Sequence, residues 1–377
     1  MQPYARMGIF HQGHDHAMHQ FFRTVLVSAG LLPGLAGAVQ IYDRPELQLE
    51  LLAVVESSFG NPAAYQDYGL SHNGMLSRAE LGVAMRASLG GGTEAVALYL
   101  NEFPGEGDQE SQVRYLFAGL DAGGYGQLLF GRGDPSFYTM VGTTDIFEFI
   151  ESRGLDYYQA MGEQRSGLIM YALSGMGNDL RLHYQTSKDN SGQGLLSPHA
   201  AMGFSIASRL WDGFTLAYGL DWIRFGYDTP AQQEAGQDYF AGLIAHDYPD
   251  GAQFWVREAM MYAVSLSYGF LGEGLYLSLL YTNSDYNHLR HHLETYEAAG
   301  AYAWENGLRV TLSLLTQRYD HVNVISDLGV GLSLDPHPGV RLFAEALLSL
   351  SGHSGVIFPQ QRYLDEHQFV GGLKLTF

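Results

Sequence analysis

The sequence predicts an all-β fold, a transmembrane barrel of sixteen antiparallel strands. Three observations lead to this prediction. Apolar and polar residues alternate with a period of two from Glu46 to the last residue, as they do in strands that face two different environments. The connections between these stretches alternate between short and long. The chain has 25 Tyr and 20 Phe at a mean hydropathy of −0.08, as a barrel with apolar side chains on every second position would.

Seven short connections contain Gly, Asn, Asp and Pro, the residues that tight hairpin turns require. They are residues 89–94, 121–125, 174–178, 211–213, 269–274, 305–307 and 335–339. Eight longer connections alternate with them, near 57–74, 103–111, 132–164, 187–198, 225–256, 283–291, 318–322 and 350–366, of which only the seventh is short. Seven turns and eight loops join sixteen strands. An even strand count with short turns on one side and long loops on the other is the plan of an outer-membrane barrel.

The strand interiors have the same two-faced pattern. In 308-LRVTLSLLT-316 the apolar residues occupy one parity and Arg309, Thr311 and Ser313 the other, and residues 180–185 alternate in the same way. The last stretch, 367-HQFVGGLKLTF-377, ends on an apolar parity at Phe377. Lipid is the natural partner of the apolar set and water of the polar set. A soluble β-sandwich or propeller also alternates, but it gives no reason for the asymmetry of the loops.

The N-terminal region has the layout of a secretory signal peptide. Residues 18–38 contain Arg23, an apolar stretch, a Pro-Gly break and an A-x-A pattern ending at Ala38. We therefore predict a signal region at 1–38 and a barrel domain at 39–377. The preceding segment is rich in histidine, which as a compositional signal could indicate metal binding. Its position upstream of the cleavage point favours a simpler interpretation, in which Met18 is the true start.

Charge and composition exclude several classes of function. The formal net charge is −20, whereas binding to nucleic acid needs a cationic surface, so no nucleic-acid partner is expected. Past the N-terminus no apolar run is as long as the about 20 residues that a transmembrane helix needs. The chain has no Cys, and no residue pattern in the predicted barrel calls for a metal or a cofactor.

Residues 112–149, QVRYLFAGLDAGGYGQLLFGRGDPSFYTMVGTTDIFEF, resemble the general diffusion porins of Gram-negative outer membranes. They contain, in this order, an R-x-x-F-A-G-L strand, a G-Q-x-x-x-G-R strand and a long loop that ends near an acidic pair before Phe149. The similarity extends to residues 39–51, 257–281 and 296–315 and to the terminal Phe377.

The resemblance implies a homotrimer of sixteen-stranded barrels in the Gram-negative outer membrane, through which small hydrophilic solutes diffuse passively. It also implies that barrel-assembly machinery recognises the terminal strand with Phe377. That strand would close the barrel by pairing with the first strand near Gln48 to Val55. The small and apolar residues Ala95–Leu98 would suit packing between barrels. The acidic second loop, with Glu106, Asp108 and Glu110, fits cation bridges to lipopolysaccharide, a latch on a neighbouring barrel, or a merely solvated loop.

In this family the third loop folds inward and narrows the pore. Here that segment is residues 132–164, called loop 3 below, and its aromatic content suits packing against the inner wall. The resemblance implies that acidic groups on the loop face a ladder of basic groups on the opposite wall. Asp145 and Glu148 occupy the acidic positions, with one residue fewer between them than usual, while Arg114 and Arg165 match basic positions. The strand register around Arg165 is ambiguous by one residue.

Two basic positions of the family pattern are altered. The first-strand Lys position is Val54, and the second-strand Arg position is Glu80. Arg78 lies on the same face as Glu80, about 7 Å along the strand, and compensates in part. The constriction is therefore expected to be less basic than in related porins and the channel weakly cation-selective.

Two other functions stay open at this point. A substrate-selective channel of the sugar type would use aromatic residues along the lumen, and the first, third and fifth loops contain Tyr and Trp. An enzyme built on the barrel would need a nucleophile with a positioned base, and the sequence shows no recognisable Ser and His pair. We therefore expect a channel rather than an enzyme.

Overall fold

The structure, a computed structural model, describes residues 39–62, 74–106, 110–150, 164–186, 196, 198–211, 213–252, 254–350 and 366–377. The predicted signal region, residues 1–38, lies outside the described residues, and so does Asp108 of the second loop. Statements below refer to the described part of the chain.

The described residues form seventeen strands, connected in the order that the turn pattern predicts. They are β1 (Val39–Arg44), β2 (Leu47–Gly60), β3 (Gly74–Gly90), β4 (Thr93–Pro104), β5 (Gln112–Asp121), β6 (Gln127–Gly133), β7 (Arg165–Gly175), β8 (Asn178–Gln185), β9 (Pro198–Trp211), β10 (Phe214–Phe225), β11 (Glu258–Phe270), β12 (Glu273–Tyr286), β13 (Leu293–Ala303), β14 (Leu308–Tyr319), β15 (Val322–His337), β16 (Val340–Ser349) and β17 (Gln368–Thr376). A single turn of 3₁₀ helix, Gly123–Tyr125, lies between β5 and β6.

Strands β2 to β17 form one closed antiparallel barrel, which confirms the predicted sixteen-stranded wall. Each strand pairs with the next along the chain, and β17 pairs with β2 to close the cylinder. Closure pairs each of the strands β2 to β17 on both sides, which is the condition for a barrel wall to cross a bilayer.

The closing pairing uses the predicted first strand but is shifted along it. Strand β17 pairs with residues 54–60 of β2, which overlap the predicted stretch from Gln48 to Val55 at its end. The reason is β1, which turns back at residues 45–46 and pairs with Leu47–Leu51. Since β3 occupies the other edge of β2 along its whole length, β1 and β17 share one edge and divide it between them.

The two faces of the wall separate as the alternation predicts. On β14 the side chains of Arg309, Thr311 and Ser313 are buried, and on β8 those of His183 and Gln185 are buried. The opposite parity is apolar and exposed at Leu182, Tyr184, Leu275, Leu277, Leu279, Leu312, Leu314, Val330, Leu332, Phe369 and Phe377. So much exposed apolar surface is a liability in water and is suited to lipid.

The segment Ala95–Leu98 follows the same rule, so the prediction that these residues pack between barrels is wrong for Val96 and Leu98. Val96 and Leu98 are 3% and 4% exposed and belong to the inner parity. Ala95 and Ala97 occupy the outer parity. Because side chains on a strand alternate between faces, only these two alanines are available for contact with a neighbouring barrel.

The described parts of the long connections contain two helices. Helix α1 (Tyr138–Val141) belongs to loop 3, and helix α2 (Pro230–Asp247) belongs to the fifth long connection, residues 226–257, called loop 5 below. Within the described residues no helix is both long enough and apolar enough to cross a membrane.

Candidate pore constriction

The two ends of loop 3 are held together where the loop leaves and rejoins the barrel. The Asp134 carboxylate accepts hydrogen bonds from the Tyr115 hydroxyl at 3.0 and 2.9 Å and from the Gln164 amide at 3.3 Å. The Arg132 guanidinium donates to the Ser166 hydroxyl at 2.7 Å. These contacts close the base of the loop, so its described interior, residues 135–150, lies across the barrel's inner face.

A buried polar cluster supports the start of the loop. The Nη2 atom of Arg165 lies 2.9 Å from Asp221, and His183 Nε2 lies 3.2 Å from the same carboxylate. The backbone N–H of Ser136 donates to His183 Nδ1 at 3.1 Å. Since Nδ1 accepts this bond, the neutral imidazole carries its proton on Nε2, toward Asp221. The cluster therefore ties loop 3 to β7, β8 and β10.

This cluster also brings together a serine, a histidine and an aspartate. The Ser136 hydroxyl lies 2.8 Å from His183 Nδ1, a pairing that the sequence does not reveal because the residues are 47 positions apart. Ser136 is 4% exposed, and the side chains of His183 and Asp221 are 0% exposed. With no open face toward solvent, the hydroxyl is placed as an anchor for the loop and not as an accessible nucleophile.

Helix α1 packs its apolar side chains against small residues of the wall. Phe137, Met140 and Val141 are at most 1% exposed and belong to one buried cluster with the inner-face residues Ala201 of β9 and Ala217 of β10. The aromatic and apolar content of loop 3 is therefore used to dock it inside the barrel, as the sequence predicts.

Beyond α1 the loop crosses the wall formed by β12 to β15. The Tyr276 hydroxyl donates to the backbone carbonyl of Thr143 at 2.6 Å, and the Thr144 hydroxyl donates to Glu297 at 2.7 Å. The ring of Phe147 then lies over Gly329 and Gly331 of β15. A Cβ atom at either position would overlap a hydroxyl of the neighbouring strand, Ser313 or Thr311, and would also crowd the ring.

Replacing Gly329 with valine is expected to displace the Phe147 ring and change the single-channel conductance. A Cβ atom at this position would lie 2.8 Å from Phe147 Cζ, and overpacking of this kind costs about 1–3 kcal/mol. Thermal unfolding of the folded barrel and planar-bilayer recordings measure the two effects. A Phe147→Ala background removes the clash with the ring but not the clash with the Ser313 hydroxyl on β14, so the cost of the valine is expected to fall only in part. An equal cost in both backgrounds would contradict the predicted contact.

The following residue, Glu148, lies within a group of basic side chains. Its carboxylate is 2.8 Å from Arg309 and 3.1 Å from Lys374, and it forms a third ion pair with Arg341. Burial alone would raise the pKa of this carboxyl, but the positive charges of its three partners outweigh burial and hold the pKa well below its usual range. Glu148 therefore stays ionised at any physiological pH.

The backbone of residues 148–150 is also hydrogen-bonded to the barrel wall. The carboxylate of Glu345 on β16 accepts the N–H groups of Glu148 at 2.6 Å, Phe149 at 3.0 Å and Ile150 at 2.9 Å. Phe149 and Ile150 pack on the inner-face residue Phe343. Residues 147–150, called the loop 3 tip below, are thus fixed to β14, β16 and β17.

Sequence comparison shows the family to which a barrel of this design belongs. The model of the family described as Gram-negative porin matches residues 24–334. The chain belongs to this Gram-negative porin family. Its location is the outer membrane, and the family and the fold are those of channels. A curated relative, outer membrane porin C of Serratia marcescens, is 26% identical over 180 residues, which cover 44% of this chain and 46% of that protein.

Solved structures show the same fold at low sequence identity. The structure of Salmonella typhi OmpF in complex with daunomycin matches with a TM-score of 0.70 at 17% identity, covering 90% of this chain and 100% of that chain. The loop L8 deletion mutant of OmpT from Vibrio cholerae matches with a TM-score of 0.63 at 12% identity, covering 88% and 100%. A mutant porin of Rh. blastica matches with a TM-score of 0.58 at 13% identity, covering 87% and 100%.

In this porin the predicted basic residues do not form one group: Arg78 and Arg114 lie together, and Arg165 lies elsewhere. Arg78 lies 3.3 Å from Glu56 and 3.5 Å from Glu102, and Arg114 lies 4.0 Å from the same Glu102 carboxylate. The Arg78 guanidinium also lies over the Phe149 ring at 5.4 Å. This group borders the loop 3 tip. Arg165 does not join it, because its side chain is 0% exposed and paired with Asp221.

The remaining predicted positions are spread along the loop and the wall. Asp145 accepts a hydrogen bond from Tyr138 at 3.3 Å. Val54 and Glu80 are cross-strand partners on β2 and β3, and Glu80 is also opposite Glu102 of β4. The sequence pattern did not predict the cations that bind Glu148 in this porin. Arg309 was placed on the polar parity of its strand, but nothing local linked it, Arg341 or Lys374 to the loop.

Proposed function

We propose that the chain forms a passive outer-membrane channel for small hydrophilic solutes and ions with a preference for cations. The observation that supports it most strongly is the loop 3 tip, which ion pairs and backbone hydrogen bonds hold on the polar inner face of a barrel whose outer face is apolar. A fixed, charged segment inside a barrel of sixteen strands narrows the lumen without requiring a specific ligand.

The charges on β2 to β5 favour a cation preference. This part of the described wall carries three buried carboxylates, Glu56, Glu80 and Glu102, and two guanidinium groups, Arg78 and Arg114. Glu148 is a further ionised carboxylate, but its three partners Arg309, Arg341 and Lys374 offset its charge, so the proposed preference rests on β2 to β5. Charges near a narrow passage change ion permeability most strongly in dilute salt, where the Debye length is about 30 Å at 0.01 M.

Planar-bilayer recording tests the proposal. The purified protein is expected to give stable ohmic conductance steps and, across a KCl gradient, a reversal potential with the sign of cation permeation. Block of the conductance by low concentrations of one sugar would favour the substrate-selective alternative. Absence of conductance steps in the correctly folded protein would exclude a channel, and anion permeation in dilute KCl would exclude the selectivity.

We also propose a homotrimer, contact with outer-membrane lipid and lipopolysaccharide, and assembly by the barrel-assembly machinery. The apolar outer face and the outward-facing Ala95 and Ala97 support contacts with lipid and with a neighbouring barrel. Migration as a trimer in unheated gels, converted to a monomer by heating, is the expected result. Migration as a monomer without heating in a gentle detergent would contradict the trimer.

Deleting Phe377 is expected to lower the amount of assembled barrel and to leave unassembled chain in the periplasm. Phe377 is 53% exposed, so its ring is available for recognition. Its backbone N–H donates to Ala53 at 2.8 Å, which extends the closing pairing. Quantifying heat-modifiable protein in membrane fractions measures the effect, with Phe377→Tyr as a control that keeps the aromatic ring. Normal surface levels of the truncated chain would contradict this role.

A further inference from the structure

Helix α2 of loop 5 begins with strong local signals. The Thr229 hydroxyl accepts the backbone N–H of Gln232 at 3.2 Å, and the Gln232 side chain accepts the backbone N–H of Thr229 at 3.1 Å. Pro230 follows at the first helical position. This reciprocal capping box, with proline at the first position, fixes where a helix starts. Loop 5 therefore contains a rigid element 18 residues long.

One side of this helix packs on the inner face of the barrel. Phe240 is 1% exposed, and its ring centroid lies 5.8 Å from that of Phe225 on β10 and 5.1 Å from that of Tyr286 on β12. Tyr239 and Leu243 belong to the same buried cluster. The wall residues lie at the strand ends that carry the long connections. An apolar inner wall at this level is stable in water only when something covers it.

The close packing extends to the first half of the helix. Gly236 lies against the ring of Tyr227, where a Cβ atom would overlap the ring. Burial raises the pKa of the Tyr227 hydroxyl, and this hydroxyl donates to the backbone carbonyl of Val256. Both ends of loop 5 are thus joined beneath the helix.

Polar contacts fix the C-terminal end of α2 to the barrel. The Asp247 carboxylate accepts the Tyr319 hydroxyl at 2.7 Å and the backbone N–H of Arg290 at 2.5 Å. His246 Nε2 lies 3.0 Å from Asp320, and His291 Nδ1 lies 3.2 Å from the same carboxylate. The helix is therefore fixed to the connection between β12 and β13 and to the turn between β14 and β15.

The opposite side of the helix is exposed. Glu234, Asp238, Ala241 and Ala245 are exposed and, at 3.6 residues per turn, lie on the side away from Phe240 and Leu243. Because the buried side rests on the inner wall, the exposed side points toward the axis of the barrel. It is small and acidic, unlike the aromatic side that faces the wall.

We propose that helix α2 is a second constriction at the mouth of the channel, and that it limits the size of the solutes that enter. The inference rests on the proposed channel function and assigns part of its size selectivity to loop 5. Solutes reaching the loop 3 tip first pass the side of α2 that carries Asp238 and Ala241.

A cysteine at Ala241 tests the position of the helix. The natural sequence has no Cys, so Ala241→Cys provides one defined thiol with little change in volume. Methanethiosulfonate reagents with a small and a bulky head group are added during planar-bilayer recording, and mass spectrometry measures labelling. The expected result is a stepwise fall in conductance, larger with the bulky group. Met176→Cys, on the fully exposed turn between β7 and β8, is the control and is expected to label without any fall.

A second variant tests the size limit directly. Replacing residues 230–247 with a short Gly-Ser linker is expected to raise the conductance and to admit larger polyethylene glycols in liposome swelling assays. Complete labelling of Ala241→Cys with unchanged conductance would overturn the inference, whether or not the deletion variant folds. Failure of the unmodified protein to conduct would instead contradict the channel function itself, so the two failures are distinguishable.

Discussion

Replacing Glu345 with alanine is expected to release the loop 3 tip from the barrel wall and to raise single-channel conductance. The substitution removes the acceptor of three backbone N–H groups, on Glu148, Phe149 and Ile150. A hydrogen bond contributes about 0.5–1.5 kcal/mol net, and each buried donor left without a partner costs about 1–3 kcal/mol. The loss of docking free energy should therefore exceed about 3 kcal/mol, enough to change which state of the tip is populated.

Two matched variants make this result specific to the loop. Glu345→Gln retains an oxygen for Phe149 and Ile150 but places an amide N–H₂ opposite the N–H of Glu148, so an intermediate conductance is expected. Glu94→Ala removes a carboxylate that pairs with Arg86 at 2.7 Å near the turn between β3 and β4, away from the loop 3 tip, and should leave conductance unchanged. If Glu345→Ala lowers thermal stability while conductance stays at the wild-type value, Glu345 supports the wall and does not hold the tip.

The barrel was predictable because its determinants are local. Alternation with a period of two assigns a strand's faces without knowledge of its neighbours, and Gly-rich turns such as residues 89–94 mark its ends. The number of strands follows from the number of turns. The division of one edge of β2 between β1 and β17 depends on contacts between distant strands, which is why the closing pairing is shifted along β2 from the predicted stretch.

The partners of the loop 3 tip were not predictable from local pattern. Glu148 meets Arg309, Arg341 and Lys374 at sequence separations of 161, 193 and 226 residues. Parity placed Arg309 on the polar face, but parity does not say how far along the barrel a side chain lies or which loop residue reaches it. The resemblance to known porins supplied the acidic positions, and only the fold shows their contacts.

Two further features show where sequence information was present but incomplete. The sequence from Thr229 to Gln232 contains the residues that start a helix, although residues 225–256 were predicted only as a long connection. Arg165 was assigned to the lumen from a register that was ambiguous by one residue. A neighbouring carboxylate on another strand, Asp221, determines its buried position.

The loop 3 tip also leads to an expected change in ion selectivity. Glu148→Gln should shift the permeability ratio toward anions, because it removes the one carboxylate that contacts Arg309, Arg341 and Lys374 together. Arg341 keeps a partner in Asp335, so the tip region becomes more positive by one charge. Asp145→Asn, at the other predicted acidic position, is the comparison, since it leaves the three ion pairs of Glu148 in place.

Reversal potentials across a tenfold KCl gradient measure the shift. It should be larger in dilute than in concentrated salt, because the Debye length falls from about 30 Å at 0.01 M to about 3 Å at 1 M. Arg114→Gln, which removes a cation near Glu102, should move selectivity in the opposite direction. The double variant Glu148→Gln with Arg341→Gln restores the local charge and should return the reversal potential toward that of the unmodified protein. A shift of equal size at both salt concentrations would show that the tip had moved, because a change in charge alone is screened and a change in pore geometry is not.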